Sequence, residues 1–70
     1  MMPLVFADAD EINIIKKIGG TPEVRKHLES LGFTVGGEVM VICETDGDVI
    51  VRVRDSRVAV SRQTAELIMV

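Results

Sequence analysis

The chain has no tryptophan or tyrosine, and only two phenylalanines, one histidine and one cysteine. Each scarcity removes a class of chemistry. With Phe6 and Phe33 as the sole aromatics, there is no stacking platform for bases and no aromatic box for a cation or a sugar. Cys43 stands alone, so no intramolecular disulfide framework exists and a reducing, cytoplasmic setting is the default expectation. A basic excess is also missing. The net charge is −3 and the isoelectric point about 4.9, and acids are interspersed among Arg52, Arg54, Arg57 and Arg62. A nucleic-acid partner is therefore not expected. The longest unbroken apolar run, Val39 to Cys43, is far too short to cross a bilayer. The apolar opening from Met1 to Ala7 lacks the basic flank of a signal peptide and runs straight into acids. No direct membrane insertion is expected.

What is present is aliphatic. Apolar residues make up 47% of the 70, enough for a packed globule and too many for a disordered chain. Residues 1–70 read as one small domain. A chain this short buries only roughly 60–65% of its unfolded surface, so every apolar face has to be used.

The stretch from Leu28 to Val39 organises the rest. Thr21 fits a helix N-cap, Pro22 the first helical position, and Glu23 an acid near the positive end of the helix dipole. Val24, Leu28 and Leu31 recur at helical spacing on one face, with Arg25, Lys26 and Glu29 toward solvent. Gly32 suits the left-handed residue after the helix, and Phe33 then folds back onto Leu28. Thr34 to Gly37 makes a turn.

Strands surround this helix. Pro3 to Ala7 is an apolar lead-in and Asp8 to Glu11 an acidic turn. Ile12 to Ile18 has the β-branched density of a strand, with Ile12, Ile14 and Ile15 expected inside. The doubling at Ile14-Ile15 fits either a bulge or a strand buried on both faces. Glu38 to Thr45 reads as a strand with Val39, Val41 and Cys43 on its buried side, which makes Cys43 a structural thiol. Asp46-Gly47 suggests a type I′ hairpin. Val49, Val51 and Val53 alternate with Ile50, Arg52 and Arg54 in the cleanest half-buried strand. A short strand over Val58 to Val60, one helical turn capped by Ser61, and a last strand over Leu67 to Val70 complete the order. The fold class is mostly β (small α+β). About five strands with one inserted α-helix suit an SH3-like barrel, which also removes exposed edges.

No residue set carries catalysis. His27 has no histidine or cysteine at i+3 or i+4 to complete a metal site, and reads as a rim residue of the helix. Asp8, Asp10 and Glu11 lack the spacing of a calcium loop and read as a solvated turn. Gly19-Gly20 lacks the partners of a phosphate-binding loop. An enzyme is not expected.

The junction Leu28-x-x-Leu31-Gly32-Phe33-Thr34-x-Gly36-x-x-Val39 resembles the hallmark of the FeoA family, the small ferrous iron transport proteins A, and the SH3-like domain at the C-terminus of iron-dependent repressors. Pro3-Leu4, Ile15-x-x-Ile18-Gly19 and Val58-Ala59-Val60-x-Arg62-x-x-Ala65-x-x-Ile68-x-Val70 extend the resemblance over nearly the whole chain. Four positions depart from the family pattern: Val35 replaces a proline, His27 an arginine, Asp10 a glycine of the opening turn, and Ser61 a basic residue. The resemblance implies a cytoplasmic, non-enzymatic accessory of ferrous iron uptake that binds the cytoplasmic part of FeoB, the membrane GTPase transporter. The expected contact residues are Arg25, His27, Phe33 and Val35, on an exposed rim around the junction. The alternative it implies is direct binding or sensing of a transition metal, ferrous iron above all, with His27, Asp8, Asp10 and Glu11 as candidate ligands.

Overall fold

A computed structural model describes all residues, 1–70. After a 3₁₀ turn at Leu4–Phe6 come β1 (Ile12–Ile14), β2 (Lys17–Ile18), α1 (Pro22–Ser30), β3 (Glu38–Thr45), β4 (Asp48–Val53), β5 (Ser56–Ser61), α2 (Arg62–Ala65) and β6 (Ile68–Met69). Four strands form one antiparallel sheet in the order β1-β3-β4-β5, and β2 pairs with β6 in a second. The result is a small α+β fold, mostly β, of SH3-like form.

One aliphatic cluster fills the space between the sheets. The alternation along β4 puts Val49, Val51 and Val53 inside at no more than 1% exposure, facing Val39 and Val41 of β3 and Val60 of β5. Leu28 from α1, Phe33, Ala65 and Ile68 close it. The lead-in contributes Leu4 and Val5, whereas Phe6 points outward. The second sheet gains a pairing at its rim, where Met2 and Val70 exchange both amide-to-carbonyl hydrogen bonds at 2.8 Å.

The stretch from Ile12 to Ile18 is not one buried strand. It is a corner. The Ile15 amide donates to the Gly37 carbonyl at 2.9 Å beside the first sheet, and the Lys16 amide donates to the Met69 carbonyl at 2.8 Å in the second. Ile15 sits at the bend and is fully buried, while Ile12 and Ile14 lie on the outer face, 63% and 45% exposed. Their expected burial fails because β1 is an edge strand whose outer side meets no second layer.

Cys43 is also outside, contrary to its phase with Val39 and Val41. The cause is a bulge in β3: Val41 faces Val51, but Cys43 faces Ile50, so Ile42 is an extra residue. Because side chains alternate with period 2, one inserted residue moves every later one to the opposite face. The following hairpin differs as well. Gly47 has φ +85° but Asp46 is not left-handed, which excludes type I′ and matches the second central position of a type II turn. Asp10 is left-handed at φ +64°, a conformation that Asp tolerates better than most residues.

Two outcomes follow. Ile15→Val should lower stability by about 1 kcal/mol, a fall in Tm of roughly 4–8 °C, whereas Ile12→Val should leave the thermal melt unchanged. Cys43 should react fully with a thiol reagent such as Ellman's in the native protein, at the rate seen in urea within about threefold.

Candidate partner-binding site

The site grows from the way α1 starts and stops. The Thr21 hydroxyl oxygen accepts a hydrogen bond from the Val24 amide at 3.2 Å, satisfying one of the free donors of the first turn. At the other end, the Phe33 amide donates to the Leu28 carbonyl and the Gly32 amide to the Glu29 carbonyl, both at 3.0 Å. This is a Schellman termination, with Gly32 left-handed at φ +108°.

The chain then makes a tight turn whose Gly37 amide returns to the Thr34 carbonyl at 2.9 Å. Gly36 supplies φ +90° at the third position. The Gly36 amide also donates to the Ile15 carbonyl at 2.8 Å, so the turn is bolted to the corner between the sheets. Val35 is therefore held out on a rigid tip at 65% exposure.

Beside that tip, α1 and β2 leave an open groove of about 550 Å³ lined by Lys16, Lys17, Ile18, Arg25, Glu29 and Val35, with Phe33 and Thr34 at its base. Three cations and one acid give it a positive balance in a chain that is acidic overall. Its apolar content is the partly buried Ile18 and the projecting Val35.

Of the four expected contact residues, Arg25 and Val35 meet in this groove. Phe33 lines its base but is fully buried, so it is not an exposed contact residue. The Schellman reversal that brings its amide back to Leu28 also turns its ring into the core. His27 is exposed, yet it does not line the groove. Two positions beyond Arg25, it is rotated by about 200° around the helix. Lys16 and Lys17 also line the groove, although neither is among the expected contact residues. The signal for more was available: two consecutive lysines immediately before the break that leads into a helix whose first turns carry Arg25.

The candidate metal ligands do not assemble. No group of three or more His, Cys, Asp or Glu side chains lies close enough to hold an ion, which leaves His27, Asp8, Asp10 and Glu11 without a common centre. No helix is long and apolar enough to cross a membrane.

Residues 2–70 match the family model of the FeoA domain. The chain is 37% identical over 70 residues to a Methanocaldococcus jannaschii protein described as a candidate Fe(2+) transport protein A, covering all of this chain and 85% of that one. Among solved structures, it is similar to the crystal structure of an iron uptake regulatory protein, FeoA. That match has a TM-score of 0.85 and 28% identity, and covers 96% of this chain and 89% of the other. With the junction motif, the barrel and the family match in agreement, this chain belongs to the FeoA family.

Proposed function

We propose that this chain is a non-enzymatic accessory of ferrous iron uptake. It works in the cytoplasm by binding the cytoplasmic part of an FeoB-type membrane GTPase transporter. The observation that carries this reading is the groove that Lys16, Lys17 and Arg25 line together with Glu29 and the projecting Val35. A projecting apolar residue in a groove of net positive charge supplies an anchor and a steering field for an acidic, partly apolar surface. Ferrous iron is the transporter's cargo in this reading, and no residue of this chain has to hold it.

The reading is tested by mixing the chain with the soluble GTPase domain of the FeoB encoded in the same genome. Binding is followed by calorimetry and by the amide spectrum of the labelled chain. Saturable binding is expected, with shifts at Lys16, Lys17, Arg25 and Val35. The Val35→Asp and Arg25→Glu variants should each weaken it by about tenfold or more while melting at the parent temperature. His27→Ala should bind as the parent does. An absence of binding by the parent chain, or equal binding by all variants, overturns the reading.

A further inference from the structure

On the far side of Gly32 lies a second groove, of about 540 Å³, and its electrostatics are unusual. Its walls include Ile12, Glu38, Met40, Arg52 and Arg54, so two cations face one acid and the balance is positive. Three of the residues there belong to one rung of the large sheet, which crosses all four strands as Ile12, Met40, Arg52 and Arg57. The rung therefore has an apolar half and a cationic half, and its outer side is open to solvent.

Three features place positive charge on this surface, and the first two work against stability. First, Arg52 and Arg57 are direct cross-strand partners, a like-charge placement that destabilises a sheet. Second, Arg54 occupies the left-handed region at φ +55°, where Gly, Asn or Asp would be the ordinary choice. Third, the Arg54 side chain lies over Gly32: a Cβ added to Gly32 would stand 3.4 Å from its Cδ and 3.5 Å from its Nε. None of the three arginines has a carboxylate within ion-pair distance. The chain's one ion pair, Arg62 to Glu44 at 3.5 Å, lies elsewhere.

We infer that this groove binds a short acidic segment of a protein partner, with an aliphatic side chain seated on Ile12 and Met40 and flanking carboxylates paired to Arg52, Arg54 and Arg57. A carboxylate accepting from the guanidinium groups relieves the Arg52–Arg57 repulsion, and the planar fork of Arg suits it to bidentate pairing. The apolar wall favours a peptide over a free anion, and the lack of any aromatic in the groove disfavours a base or nucleotide. This surface meets the Lys16–Val35 groove only at Thr34, which lines both, and the inference does not rest on the transporter reading.

The probe is a blocked Glu-Leu-Glu-Leu-Glu peptide titrated into the labelled full chain at low salt. Saturable shifts are expected at Ile12, Met40, Arg52 and Arg54. They should be absent with Gln-Leu-Gln-Leu-Gln and weakened when salt reduces the screening length to about 5 Å. The Arg52→Gln/Arg57→Gln double variant should bind at least about tenfold more weakly while melting no lower than the parent. Arg54→Gly should melt higher and also bind more weakly, an opposed pair of effects that a purely structural arginine would not give. No saturable shift with the parent chain overturns the inference. So do the same shifts produced by sodium acetate or phosphate alone, which would make this a simple anion site. Concentration-dependent shifts of these residues without peptide would assign the face to a second copy of the chain and overturn it equally.

Discussion

The hydrogen bond from the Phe33 amide to the Leu28 carbonyl is the contact on which the rest of the molecule turns. It ends the helix, and it requires the intervening Gly32 to be left-handed. The same reversal drives the Phe33 ring into a core that has no other aromatic to fill it. From there the backbone has only four residues before β3 begins, and the turn they form is tied to Ile15 by two further hydrogen bonds. Helix, turn and sheet corner thus share one small set of backbone bonds, and both grooves lie against it.

An aliphatic domain of this size cannot cover all its surfaces. The inner side of the large sheet is filled by valines, but its outer side carries Ile12, Ile14 and Cys43 in contact with water. Edge and outer-face positions of this kind are an aggregation hazard in an isolated sheet. Here charge counters it: Glu38 stands opposite Ile14, and Arg52 opposite Met40. Charges on a solvated sheet face keep a small apolar fold in solution, and they also give each face an electrostatic sign that a partner can recognise.

What the sequence revealed depended on how local the responsible physics was. The cap at Thr21, the Gly32 termination and the Val49-Val51-Val53 alternation involve neighbours a few residues apart, and all appear in the structure. The short helix behind Ser61 does too, with the Ser61 hydroxyl oxygen accepting from the Thr64 amide at 3.1 Å. Ile12 and Ile14 were misplaced because β-branching marks a strand without saying which side has a second layer. Cys43 was misplaced because a bulge leaves no mark in an apolar run such as Val39 to Cys43. For Phe33 two expectations competed, packing onto Leu28 and display on a rim, and the capping geometry won. The groove itself was legible only in part. Arg25 and Val35 come from one continuous stretch, but Lys16 and Lys17 reach it through the corner at Ile15, which is a tertiary fact.

The paired amides and carbonyls of Met2 and Val70 bear on how the molecule reaches its native state. Bringing those two residues together from an open chain means closing a loop of almost the entire sequence. The length-dependent part of that entropy is roughly 4 kcal/mol, more than two hydrogen bonds return. The β3-β4-β5 meander needs only two-residue connections, so its hairpins can form first and shorten the remaining search. The two ends then meet late, as a clasp on a barrel already assembled.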